Sequence, residues 1–208
     1  YGVAVSSGTS ALHVSLSALE SRGSGEVVVP AFSFPATANV VELSGLKTRF
    51  ADISESTWSV TDETVEAAAT DQTRGVILVH PFGMPAPLTG LQSLASREGW
   101  WLIQDAACIL GSRPEVFGPA FHESPCCLSF HPRKVLTTGE GGMILTRDER
   151  LAQSMRQWMN HGMDTRQPGW QRFTQVGFNY RMTDIGAAMG RVQIARLDDV
   201  VGQRRAMV

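Results

Sequence analysis

The sequence has 208 residues, 43% of them hydrophobic, with 18 Lys and Arg against 20 Asp and Glu and a formal charge of -2. A chain of this size can bury one sizeable core, as one domain or as a large domain with an appendage, and its near-neutral balance lacks the basic footprint of a nucleic-acid or anionic-membrane partner. No run reaches the roughly 18 consecutive apolar residues of a membrane helix, and the three cysteines, Cys108, Cys126 and Cys127, are odd in number with two adjacent, which suits a reducing, cytoplasmic setting better than a disulfide framework.

The chain opens on Tyr1 and runs directly into the apolar stretch GVAVSS, without the basic, apolar and small-residue series of a signal peptide, so its start reads as cut. In order, the apolar runs GVAVSS, EVVVPAF, TRFAD, RGVILVH, WWLIQDAA, PCCLSFH and GGMILT are bounded by turn residues and read as short strands, most of them buried on two faces. Between them lie stretches with helical spacing, such as Leu12, Leu16 and Leu19, and Leu91, Leu94 and Ala95. Strands alternating with helices predict an α/β fold with a mainly parallel sheet covered on both sides. From Asp148 onward the pattern turns helical or irregular, with a polar loop through Gly169, then a segment carrying Ile185, Met189, Val192 and Leu197 at near-helical spacing. That last pattern stops uncapped at Val208 and reads as a helix that continues.

Three stretches can carry chemistry. In SSGTSAL, Gly8 ends a strand, and Thr9 and Ser10 open an amphipathic helix whose free first-turn N–H groups form an anion site into which a phosphate would fit; taken alone, the same residues read first as an ordinary helix cap. The stretch has neither the GK[ST] ending of a Walker loop nor the spacing of a dinucleotide fingerprint. In WWLIQDAACILGS, Asp105 falls where a strand delivers its carboxyl end, the edge at which open parallel sheets bind ligands; it can pair with a buried cation or cap the next helix. SFHPRKVLTTGEGGM contains Lys134, one of only two lysines. An amine that attacks a carbonyl to form an imine must be unprotonated, and Lys134 sits between an apolar strand and a small-residue cluster, whereas Lys47 reads as a solvated surface group. Ser129, five residues before Lys134, can offer a hydroxyl to the same anion as the first helix. The histidines His13, His80, His122, His131 and His161 show no HxxxH or HExxH spacing and the cysteines no CxxC, so no metal site is expected. His13 is expected on the polar face of the first helix, and Glu140 is expected to orient the lysine loop.

A lysine for an imine, an aspartate for a protonated ring nitrogen and a hydroxyl-rich helix start for a phosphate together meet the needs of pyridoxal 5'-phosphate (PLP). With these residues in hand, SSGTSAL, VVVPAFSFPATANVV, VHPFGMPAP, IQDAACILGS, SFHPRKVLTTGEGGM, NHGM and GFNYRMTDIGAAMG resemble, in order, the segments of the DegT-type sugar aminotransferases over essentially the whole chain. The resemblance implies the large domain of fold type I PLP-dependent transferases, a mainly parallel seven-stranded sheet between helices. Residues 1–208 would be that PLP-binding catalytic domain, incomplete at both ends and without a C-terminal small domain.

It further implies that Lys134 bonds to PLP and shuttles the substrate proton, that Asp105 keeps the ring nitrogen protonated, that Phe34 stacks on the ring where a core role is the alternative, and that Gly8, Thr9, Ser10 and Ser129 hold the phosphate. Asn179 would reach the phosphate of a neighbouring subunit, making a homodimer part of the site, and His161 and Arg181 would contact substrate. The sequence departs from the family pattern at Cys108, where relatives carry Gln or His near the ring hydroxyl, at Pro81 and Met84, and at Arg133. The implied activity is transfer of an amino group from an amino acid, glutamate by expectation, to a keto group of a nucleotide-linked sugar in amino-sugar, polysaccharide or antibiotic-sugar biosynthesis. Lys134 argues against the dehydratase branch, which replaces this lysine. A non-catalytic or truncated relative that keeps the fold and the dimer surface is the alternative.

Overall fold

The computed structural model describes residues 1–19, 24–112, 123–164 and 171–207. His122 and the part of the polar loop at 165–170 lie outside the described residues. All seven expected strands form and join one sheet: β1 (Gly2–Val5), β2 (Glu26–Pro30), β3 (Lys47–Ala51), β4 (Thr73–Val79), β5 (Trp101–Asp105), β6 (Cys126–Ser129) and β7 (Gly142–Leu145), in the order β1-β7-β6-β5-β4-β2-β3. Only β7 runs against the others, pairing antiparallel with β1 and β6, so the carboxyl ends of the remaining strands share one edge. Everything that positions the candidate site follows from that common direction.

Successive strand residues point to opposite faces, and the apolar runs divide accordingly. Val27, Val29, Ile77, Ile103 and Ile144 join one core cluster under helices α1 (Gly8–Leu19), α2 (Ala36–Leu43) and α5 (Glu149–Trp158), which supply Leu12, Leu16, Val40, Val41 and Met155. Val28, Val76, Leu78 and Leu102 face the other way, onto α3 (Asp62–Ala68) and α4 (Leu88–Glu98) through Val65, Leu88, Leu91 and Leu94. Each such fully buried aliphatic side chain is worth about 1.5–3 kcal/mol over its exposed state. The sheet is therefore covered on both faces, as the continuous apolar runs predict. The exception is β3, where Lys47, Arg49 and Phe50 are exposed because an edge strand has a neighbour on only one side.

Two expectations change. His13 is not on a polar face: it is 6% exposed, its Nδ1 is 3.2 Å from the Tyr180 hydroxyl, and its ring packs 5.5 Å from that of Phe178. The segment carrying Phe178 and Tyr180 returns to cover the side of α1 that local spacing leaves polar, and burial lowers the His13 pKa. The last helical segment is two helices, α6 (Asp184–Ile194) and α7 (Leu197–Ala206), and its apolar stripe is not part of the core: Ile185 is 77% exposed, and Met189 and Val192 are also exposed. Between α5 and α6, β8 (Met163–Asp164) and β9 (Arg172–Phe173) form a small antiparallel pair.

Candidate active site

The shared strand edge opens into a cavity of about 510 Å³, within the range of about 300–1,000 Å³ typical of small-molecule sites. Its wall includes Gly8, Thr9, Phe34, Asp105, Cys108, Ser129 and Lys134, residues far apart in sequence that the parallel crossovers bring together.

The β1–α1 turn is built by reciprocal serine bonds. The Ser10 N–H donates to Ser7 Oγ at 3.0 Å and the Ser7 N–H donates to Ser10 Oγ at 2.9 Å. Ser10 Oγ also donates to the Ser7 carbonyl at 2.8 Å, so Ser10 is spent on the cap and lies off the cavity wall, while the exposed Thr9 lines it. This closed cap leaves the first-turn amides of Gly8 and Thr9 without helical acceptors. A Cβ on Gly8 would lie 2.8 Å from Ser129 Cβ, so the absent side chain lets α1 begin directly against the end of β6. A parallel constraint shapes the small residues after Lys134. A Cβ on Gly142 would overlap the Ser7 carbonyl and one on Gly141 the Thr138 hydroxyl. Gly142 thus lets the β6–β7 loop pack onto the β1–α1 turn, and Gly141 lets that loop fold closely on itself.

Asp105 ends β5 and is 6% exposed. Burial pushes its carboxyl pKa up, opposed by the Thr37 hydroxyl, the Ala107 N–H and the Lys134 charge. Thr37 Oγ1 donates to Oδ2 at 2.7 Å and the Ala107 N–H to Oδ1 at 3.2 Å. Ser33 Oγ lies 2.7 Å from Thr37 Oγ1, extending the chain of hydroxyls. Sequence reasoning missed Thr37 and Ser33; the only signal was a threonine one place into a helix whose preceding stretch matched the family. It also missed His80, which follows β4 at the same edge. His80 is 1% exposed, accepts the Ala86 N–H at Nδ1 (2.9 Å) and lies 3.1 Å from Gln104 Oε1 at Nε2, an arrangement that fits the neutral ring. Burial, partly offset by the Gln104 bond, lowers its pKa to about 4.

Lys134 follows β6 in a turn closed by its N–H to the His131 carbonyl at 2.9 Å, and its Nζ donates to Cys108 Sγ at 3.1 Å. Glu140 lines the cavity, with Oε1 3.8 Å from His131 Nε2. Phe34 is 69% exposed on the cavity wall, which rules out a core role for its ring. Lys47 is exposed at the start of β3, away from this wall. His161, Asn179 and Arg181 are not on the wall. They gather around Asn160, which forms an isolated bridge with Asn179 and accepts Arg181 Nη1 at 2.6 Å; His161 adopts a left-handed φ of 57°. Among the described residues no group of three or more His, Cys, Asp or Glu side chains could hold a metal ion.

Around this cavity the architecture is the large domain of fold type I PLP-dependent aminotransferases. NtdA of Bacillus subtilis, solved with bound cofactor PMP, superposes with a TM-score of 0.86 at 31% identity, covering 95% of this chain and 44% of that one. Residues 1–208 match the DegT/DnrJ/EryC1/StrS aminotransferase family, and the chain belongs to that family. A GDP-perosamine synthase of Caulobacter vibrioides is 35% identical over 208 residues, covering 100% of this chain and 56% of that protein. A UDP-N-acetyl-3-dehydro-alpha-D-glucosamine 3-aminotransferase of Acidithiobacillus ferrooxidans is 35% identical over 212 residues, covering 99% of this chain and 55% of that protein. The chain spans about half the length of the relatives it matches.

Proposed function

We propose that this chain is the cofactor-binding domain of a PLP-dependent aminotransferase that moves an amino group from an amino acid, glutamate in our reading, to a keto group of a nucleotide-linked sugar. The observation that carries the reading is the meeting of Lys134 and Asp105 on one cavity wall beside the start of α1. The relatives' names support the acceptor class, one referring to a GDP-linked and one to a UDP-linked sugar.

The residues fit the cofactor. Asp105 is a buried carboxylate with two donors already in place, and a protonated ring nitrogen is the cation that would offset its desolvation. The free amides of Gly8 and Thr9, with the hydroxyl of Ser129, suit a phosphate. The exposed ring of Phe34 is available to lie against an aromatic face.

When bound, PLP supplies the electron sink for a carbanion at the substrate carbon. Lys134 Nζ, on the cavity wall, would hold the cofactor through its aldehyde carbon and would carry the proton from the amino-bearing carbon of the donor. Asp105 would keep the proton on the ring nitrogen, and Cys108, on the same wall, would be the residue offered to the ring hydroxyl. Asn179, exposed and off the cavity wall, would serve the phosphate site of a second copy, with His161 and Arg181 beside it toward substrate. The exposed stripe of Ile185, Met189 and Val192 supports such a homodimer. Among the described residues no helix is long and apolar enough to cross a membrane.

The test is to incubate the chain with PLP, reduce with borohydride, and locate the pyridoxyl group by mass spectrometry. The expected label is on Lys134. Label on Lys47 alone, or none in a folded dimer, would overturn the assignment.

A further inference from the structure

We propose that Cys108 and Lys134 form an oxidation-sensitive cross-linking pair: a hydroperoxide converts the Cys108 thiol to a sulfenic acid, and the Lys134 amine, once its ammonium proton has passed to solvent, closes an S–N bond that takes the lysine out of use. The pair is geometric before it is chemical. Nζ and Sγ stand 3.1 Å apart on the cavity wall, on two separate hydrogen-bonded turns, the Lys134 N–H bonded to the His131 carbonyl and the Ile109 N–H to the Ala106 carbonyl. Closure therefore needs side-chain rotation and no backbone rearrangement.

Selectivity follows from the surroundings of the other candidate groups. Cys108 is the exposed member of the three cysteines. Cys126 and Cys127 are buried, and burial together with the nearby Asp105 charge pushes the Cys126 thiol up to about 12 and that of Cys127 well above its ordinary value. Both stay protonated and shielded, whereas the thiolate is the form that peroxides attack. The second lysine, Lys47, opens the edge strand β3 and is not on this wall.

The steps balance. The peroxide O–O bond breaks and is reduced as the sulfur is oxidised, giving the sulfenic acid and water or an alcohol. The Nζ lone pair then attacks sulfur, the S–O bond breaks, and the hydroxyl leaves as water with a proton from nitrogen, a condensation of the kind sulfenic acids undergo with nearby nitrogen. Two equivalents of a small thiol reverse it, restoring the amine and the Cys108 thiol and leaving as their disulfide. The nitrogen is available only when no cofactor occupies it, so the empty site is the sensitive one; this last point alone rests on the proposed function.

The experiment treats the chain, with and without preloaded PLP, with limiting hydrogen peroxide, followed by intact mass and peptide mapping with glutamate- and arginine-specific proteases together, which cut after Glu123, Arg133 and Glu140 and so place Lys134 on a different peptide from Cys126 and Cys127. The empty chain is expected to become two hydrogens lighter and to yield a Cys108–Lys134 linked peptide that dithiothreitol releases. Its capacity for borohydride-trapped PLP should fall by the same fraction, and Cys108→Ser should give no linked peptide. Cys108 carrying added oxygen without a linked peptide, a disulfide to Cys126 or Cys127, or an unoxidised Cys108 would overturn the proposal. A linked peptide that forms equally in PLP-treated chain would support the pair and count against the cofactor assignment.

Discussion

Thr37 Oγ1 donates to Asp105 Oδ2 at 2.7 Å, joining the first turn of α2 to the last residue of β5 across 68 positions of sequence. The bond favours the charged carboxylate against the burial that opposes it. A hydrogen bond to a charged group is worth about 1.5–3 kcal/mol. Thr37→Val is therefore expected to weaken PLP binding about ten- to a hundredfold, and Thr37→Ser to retain most of it, as read by spectrophotometric titration of the cofactor.

Gly8→Ala places a methyl carbon 2.8 Å from Ser129 Cβ and 3.2 Å from its Oγ. Alanine ordinarily favours a helix over glycine, but here the contact decides the sign, and overpacking of this kind costs about 1–3 kcal/mol. The expected result is a lower denaturant midpoint with an unchanged slope. Adding Ser129→Gly, which removes the atoms struck, should recover most of the loss in a double-mutant cycle.

His80 makes stability fall in mild acid. Its folded pKa lies near 4, below the ordinary 6.5, so between those values the unfolded chain binds a proton that the folded chain refuses. The stabilisation is complete above about 6.5 and is lost as pH falls toward 4, a change of about 3 kcal/mol by linkage. Asp105, raised by burial, contributes with the opposite sign, so the quantity to measure is the difference between wild type and His80→Asn in urea unfolding at pH 7 and pH 5. The variant should show the smaller loss.

Ile185, Met189 and Val192 form an exposed stripe on α6. Under the homodimer reading, Ile185→Arg with Val192→Asp is expected to shift the chain to monomer in sedimentation velocity and to weaken PLP retention at least about tenfold. A dimer that survives both substitutions would place the interface elsewhere.

Most of the strands were legible because each is a largely apolar run between turn residues, a local signal that burial on two faces imposes, with the exposed edge strand β3 the exception. Lys134, Asp105 and Ser129 were legible for a related reason: each stands at or just beyond the end of such a run, at the edge where a parallel sheet binds ligands. Thr37 was not, because its partner lies 68 residues away and nothing in its own helix distinguishes it. His13 failed differently. Its neighbours assigned it to a polar face, and a segment from near the chain's far end covers that face.

By itself, then, the sequence determined the α/β class, the seven strands, the family and the residue types at the cavity, since these rest on local periodicity and on motifs read in order. Tertiary structure alone decided the strand order with β7 reversed, the withdrawal of Ser10 into its own cap, the Thr37–Asp105 bond and the contact of Lys134 with Cys108. Those depend on which distant segments share an edge, and pairings of that kind are selected by burial of the whole sheet rather than by the neighbours of any one residue.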